Sequence, residues 1–273
     1  MTVWIVGPIA WDTVVYTDQW LTRGGFTQGQ RFIERPGGTA ANVARALSTA
    51  SVETGFVGYL GNDEHARLLD QEVENSQIAK LALTRIDGPT SHVLILVDDS
   101  GERTIVGLAP DYLDEVSLMD VDLQEGDTVV FVLWRDHFYA DLELARAAGC
   151  KLVVGLDAVA DKRVSGVELA IGSHNDLSSG IEPAALLNRF GSIVVTRGAE
   201  GATEYSSESE THQPAVATEV VDTTGAGDAF LAGYLAAMTH SGSTAQQRLE
   251  LGARWAAKTV ATEASVPPPF SSL

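Results

Sequence analysis

Four short runs of this chain, VWIVG (3–7), DTVVFVLW (127–134), KLVVGLD (151–157) and IVVTRG (193–198), are apolar at consecutive rather than alternate positions. Successive side chains of a strand point to opposite faces, so a run of this kind must be covered on both sides. Helical patterns such as PGGTAANVARALSTA (36–50), DEHARLLDQEVENS (63–76), YADLELARAAG (139–149) and a segment starting near Gly227 punctuate the chain. Strands alternating with helices call for an α/β fold, a three-layer sandwich in which a mostly parallel central sheet carries helices on both faces. ETGFVGYLG (53–61) reads as a further strand and turn of that sheet.

Two stretches break the rhythm. VVYT (14–17) and QRFIER (30–35) read as short exposed strands, and HVLILVDDSGERTIVGL (92–108) reads as a hairpin about a DDSG turn. They fit a small β lid, inserted at about 13–35 and 86–108 into a single domain spanning 1–273. Exposed strand edges in such an appendage suit self-pairing, which fits a homodimer through the lid; a lid that closes over its own subunit is the other reading.

Charge narrows the choice of partner. Asp plus Glu number 37 against 18 Lys plus Arg, a formal charge of −19. Such a surface repels nucleic acid and anionic membranes, so neither is expected as a partner. Any phosphate site must then supply positive potential locally, from a helix N-terminus or a bound divalent cation. The single Cys150 excludes an internal disulfide, and the N-terminal apolar run has no basic region before it. A cytoplasmic location is the expectation. The phosphate-binding loop ending in Gly-Lys-Ser/Thr, a GxGxxG after the first strand, HExxH, paired CxxC and GxSxG are all missing.

One motif remains, DTTGAGD (222–228), running into the apolar helix AFLAGYLAAM. In a Gly-Ala-Gly turn that opens a helix, the N–H groups of Gly225, Ala226 and Gly227 can converge on one anion. Asp228, in the first helical turn, can accept the proton of an attacking hydroxyl. The same residues also make an ordinary capped turn, and spacing alone does not separate the two readings.

DTTGAGDAF strongly resembles the C-terminal signature of the ribokinase-like, or PfkB, carbohydrate kinases. Four other stretches agree in the family's order: GPIAWD (7–12), PGGTAANVARAL (36–47), VGYLGNDEHA (57–66) and VVTRGAEGA (194–202). The resemblance implies an ATP-dependent kinase that transfers the γ-phosphate to a hydroxyl of a sugar or sugar derivative. It implies Asp228 as base, with Gly225, Ala226 and Gly227 as anion hole. Asp12, Gly37, Gly38 and Asn42 would bind substrate, while Asn175, Thr196, Gly198, Gly201 and Thr224 would contact the cofactors ATP and Mg²⁺. Asp222 resembles the residue that helps hold a monovalent cation, K⁺, beneath the anion hole.

The chain departs from the family pattern in three places. Ser178 stands where the family's Asn-Xaa-Xaa-Glu has its Glu, in HNDLSSG (174–180), which weakens the Mg²⁺ assignment. ATEASVPPPF (261–270) lacks the Gly-Ala turn that closes the cation and adenine region. Trp134 and Arg135 fall where ribokinases place an acidic sugar ligand, making Arg135 a candidate selector of an acidic, phosphorylated or aromatic-bearing substrate; a surface Arg beside Asp136 is the plainer reading. His92 and Arg103, in the hairpin, are candidates to reach the site; lid packing and a solvated surface are the plainer readings. A nucleoside kinase of the same family is the alternative, with Trp11, Tyr16, Phe26 and Trp134 as candidates for an aromatic clamp. A non-catalytic sugar- or nucleotide-binding relic is the reading from another class.

Overall fold

The computed structural model describes every residue except 20, 100–102, 178–179 and 265. In chain order it runs β1 (Val3–Val6), β2 (Ala10–Tyr16), β3 (Arg31–Gly37), α1 (Thr39–Ser48), β4 (Thr54–Leu60), α2 (Glu64–Glu74) and β5 (Lys80–Arg85). There follow β6 (His92–Val97), β7 (Arg103–Gly107), β8 (Thr128–Phe131), α3 (Phe138–Ala147) and β9 (Lys151–Gly155). The last third holds β10 (Val167–Ser173), β11 (Phe190–Thr196), β12 (Ala202–Ser206), β13 (Glu210–Gln213), α4 (Ala226–Met238) and α5 (Ala245–Val260).

Nine strands form the central sheet in the order β13-β12-β11-β10-β9-β8-β1-β4-β5. The pairings from β5 through to β11 are parallel, and β12 and β13 extend one edge antiparallel. The consecutive apolar runs are buried on both faces as their pattern requires. From β1, Val3 and Ile5 pack with α1, α2, α4 and α5, while Trp4 and Val6 pack with α3 on the opposite face. The two layers are unequal. Four of the five α-helices share one face, and the other is covered by α3, by 3₁₀ turns at Leu156–Ala160 and Pro183–Leu186, and by loops.

β8 ends at Phe131, three residues before the apolar run does. Beyond it the chain turns so that the Trp134 amide donates to the Asp157 carboxylate (2.7 Å). A buried network of β12, α4 and α5 fastens the antiparallel edge. The Tyr234 hydroxyl donates to Glu204 (2.7 Å), and Arg248 pairs with the same carboxylate (2.5 Å). Burying Glu204 without these partners would be strongly unfavourable.

The segments that broke the α/β rhythm make a second sheet, ordered β3-β2-β6-β7. β2 pairs antiparallel with β3 and parallel with β6, and β6 pairs antiparallel with β7. The hairpin lies where its sequence pattern put it, and its turn includes residues outside the described set. The sheet's strands reach further than the sequence suggests, to Ala10 and Gly37. Both of those bounds belong to the site described next. No helix among the described residues is long and apolar enough to cross a membrane.

Candidate active site

The site lies where the small sheet meets the ends of α1 and α4. Asp12, on β2, is 4% exposed, and its carboxylate accepts no hydrogen bond among the described residues. β3 crosses directly over it: a Cβ on Gly37 would stand 2.1 Å from Asp12 Oδ2, so only a residue without a side chain fits. Gly38 then turns the chain at φ +89° into α1. One turn along that helix, Asn42 donates from Nδ2 to Asp228 Oδ2 at 2.8 Å. This engages one N–H of the amide and leaves Asn42 Oδ1 buried, without a partner among the described residues.

Asp228 belongs to the first turn of α4, which starts after Gly225 at φ +77°, a left-handed conformation that costs an L-residue about 1–2 kcal/mol. Of the three amides expected to form an anion hole, Ala226 turns back on the Thr223 carbonyl (3.3 Å). Among the described residues the amides of Gly225 and Gly227 have no acceptor, and Gly227 faces open space. The Thr224 hydroxyl is also buried and unpaired. Arg103 reaches over from β7 and donates to the Thr223 hydroxyl at 2.7 Å, adding a cation to the loop.

Burial governs the acid strengths here. The Asp12 carboxyl is pushed up to about 7 by desolvation, offset by the Arg35 guanidinium and reinforced by the Asp228 charge. Asp228 is pushed up to about 6 by its burial, opposed by the Asn42 hydrogen bond and by Arg103. A carboxylate of that strength is largely ionised at neutral pH yet basic enough to take a proton.

The nucleotide candidates collect at one end of the sheet. Parallel pairing sets Ser173 of β10 opposite Thr196 of β11, so the 3₁₀ turn bearing Asn175 (His174–Asp176) opens beside the end of β11. The Thr196 hydroxyl donates to the Gly172 carbonyl (3.2 Å). Gly198, at φ +54°, has open space around it, as a bound ligand would require. Gly201 has a packing reason of its own: a Cβ there would meet the Gln213 carbonyl oxygen at 2.1 Å. Ser178 lies outside the described residues.

The pfkB family carbohydrate kinase model matches residues 2–269 of the chain. The protein belongs to that family. It is a phosphotransferase with an alcohol group as acceptor, an ATP-dependent kinase of a sugar or sugar derivative. It is 30% identical over 247 residues to the fructosamine kinase of Bacillus subtilis, covering 85% of this chain and 84% of that one. Among solved structures it is similar to the Methanocaldococcus jannaschii nucleoside kinase (TM-score 0.81, 18% identity, 99% and 96% of the two chains). A second, the Vibrio cholerae fructokinase with bound fructose, ADP and calcium, gives TM-score 0.78 at 21% identity over 97% and 94%.

Two predicted positions of the kinase are engaged elsewhere. Arg135 pairs with Asp111 (2.8 Å) and donates to the Trp134 carbonyl (3.1 Å), with no hydrogen bond to Asp12, Asn42 or Asp228. Asp222 does not offer a free carboxylate. Its Oδ1 accepts from the Thr224 amide (2.8 Å) and its Oδ2 from Arg35 (3.1 Å). Arg35 carries no motif signal, and its role follows only from β3 passing beside Asp222. Arg103 was a candidate to reach the site from the hairpin, and the hairpin's placement brings it to the loop.

Proposed function

We propose that Asp228 is the base of this kinase, that the turn at Gly225–Gly227 is its anion hole, and that Asp12, Gly37, Gly38 and Asn42 form the floor for a polyol. The observation that carries this reading is the Asn42–Asp228 hydrogen bond, which joins the candidate base to the candidate sugar floor. Among the described residues Asn42 Oδ1 is buried and unpaired and the Asp12 carboxylate accepts no hydrogen bond, and such acceptors suit hydroxyl donors.

The donor set at the turn fits the phosphates of ATP: two free amides at a helix N-terminus, the unpaired Thr224 hydroxyl, and Arg103 close by. Thr196, Gly198 and Gly201 would line the nucleotide along the sheet end. Among the described residues no group of three His, Cys, Asp or Glu could hold a metal, which fits Mg²⁺ carried mainly by phosphate oxygens and water, with Asn175 nearby. When bound, ATP and Mg²⁺ supply the γ-phosphoryl group and neutralise its charge. Asp228 withdraws the substrate proton as the hydroxyl attacks. Asn42 fixes the direction of the Asp228 carboxylate, and the free amides stabilise developing negative charge at the transferred group.

The candidate aromatic clamp for a nucleoside is already used in packing. Trp134 is 9% exposed among Phe131 and Phe138, Tyr16 lies under the Arg31 guanidinium, and Trp11 stacks on His65. Phe26 is 85% exposed. These contacts favour a sugar over a nucleoside. The small sheet would close over the substrate as a lid, and Phe32, Ile105, Val106 and Leu108, exposed on or beside it, support homodimerisation through that surface. A cytoplasmic location, where ATP is supplied, accords with this chemistry.

ADP release measured over ketoses, aldoses, sugar amines, sugar phosphates and nucleosides tests the reading. Asp228→Asn should lower kcat by about 10²–10⁴ with a small change in sugar KM. An Asp228→Asn enzyme retaining a tenth or more of wild-type kcat would remove Asp228 from the role of base.

A further inference from the structure

We propose that the Arg35 guanidinium takes the place of a monovalent cation beneath the anion loop, so that this kinase works without potassium. The inference rests on the reading of residues 222–228 as the anion loop.

Arg35 projects from β3 of the small sheet into a buried position, 8% exposed, against Asp222 at 2%. Its Nη2 donates to Asp222 Oδ2 at 3.1 Å, and its Nη1 donates to the backbone carbonyl of Glu263. A carboxylate below the loop and a carbonyl from the segment after α5 are the kinds of oxygen a potassium ion would collect. Here both are turned toward one guanidinium. The other Asp222 oxygen holds the Thr224 amide at 2.8 Å, so the charge of Arg35 passes to the loop through a single carboxylate.

That loop is also tied down behind the carboxylate, where the Asp222 and Val221 amides donate to the Val260 carbonyl at the end of α5 (3.2 and 2.7 Å). Both side-chain oxygens of Asp222 and the Glu263 carbonyl are therefore already engaged. An ion entering would have to displace a planar cation that is covalently part of the chain. Guanidinium is always charged and loses little freedom when its fork is held by two acceptors. Positive charge beneath the phosphate site is thus permanent, and does not depend on the ion content of the medium.

Arg35 is a positioning residue, acting through Asp222 on the loop. Its test compares potassium, sodium and tetramethylammonium chlorides at equal ionic strength. Wild-type kcat should vary less than twofold among them. Arg35→Met should lose at least tenfold in kcat in tetramethylammonium and regain a good part of it in potassium, whereas Arg35→Lys, which keeps a charge, should fall less. Thermal melts with Mg-ADP supply a readout independent of turnover: a potassium-specific rise in Tm is expected for Arg35→Met and not for wild type. A potassium-specific activation of wild type above fivefold, or a potassium-specific rise in its Tm, overturns the proposal. So does a folded Arg35→Met with undiminished kcat in tetramethylammonium. Should Arg35→Met not fold, the wild-type melts and Arg35→Lys decide. If wild type turned over no sugar in any salt, the anion-loop reading would fall, while the melts would still report whether a potassium site exists.

Discussion

Asp12→Asn should make the protein more stable above neutral pH while weakening its hold on substrate. Asp12 is almost fully buried with no hydrogen bond to its carboxylate among the described residues, and its acid strength is displaced from 3.8 to about 7. The displacement is about three pH units, and each unit corresponds to 1.36 kcal/mol, so ionised Asp12 opposes folding by at most about 4 kcal/mol. The folded state holds this proton more tightly than the unfolded chain does. The benefit of the neutral carboxyl is therefore complete below about pH 4 and is lost as pH rises through 7. Asparagine has nearly the same shape and no charge to lose. Urea melts of wild type and Asp12→Asn at pH 5, 6, 7 and 8 should show the variant gaining relative to wild type across that interval and levelling off above pH 7. The same variant should raise sugar KM at least tenfold, since an acceptor of substrate hydroxyls becomes partly a donor. A stability difference that is flat with pH, or a variant less stable than wild type at pH 8, would refute the burial argument.

Four further outcomes follow from the site and its supports. The kcat/KM profile should climb with pH through the region of 6 to 7, where Asp228 and Asp12 titrate as interacting carboxyls, and then level; a flat profile from pH 5 to 8 contradicts Asp228 as base. Arg103→Ala removes the hydrogen bond to Thr223 and should raise the KM for ATP about tenfold, a loss in the range of one charge-assisted bond, with little change in Tm. Gly225→Ala places an L-residue at φ +77° and should cost about 1–2 kcal/mol, read as a Tm lower by a few degrees together with a fall in kcat. Arg248→Met leaves the buried Glu204 with only the Tyr234 hydroxyl and should destabilise by about 3–5 kcal/mol in urea melts.

Where burial alone decides structure, the chain was readable. The consecutive apolar runs gave β1, β8, β9 and β11, and the two runs about the DDSG turn gave β6 and β7. β12 was harder, because its central Glu204 looks like a surface residue until Arg248, 44 positions away, is brought against it. β5 is a half-exposed edge and β10 begins with Val-Glu, so neither shows an unbroken apolar run. α5 did carry a local signal, the capping box of Thr244 and Gln247, that pattern reading passed over. At the site, Asp12, Gly37, Gly38, Asn42 and the 222–228 turn stand in contiguous motifs and were legible. Arg35 was not, and Arg103 stood only as a candidate, because what each does depends on where the second sheet docks, and no short stretch of sequence records that.

The direction in which Asn42 points has a consequence for turnover. With one N–H of its Nδ2 held by Asp228, the amide keeps its oxygen unpaired among the described residues, and Asp12 and Asp228 above neutral pH offer only oxygens too. The side chains of this floor are mainly acceptors. A free sugar satisfies it, since each hydroxyl brings a proton. Once phosphorylated, the reacting oxygen has no proton left and carries a dianion; with Asp228 as the base, its carboxylate faces that dianion as soon as it passes the captured proton to solvent. On that reading the surface that held the substrate repels the product, and release is favoured by the same atoms that secured binding.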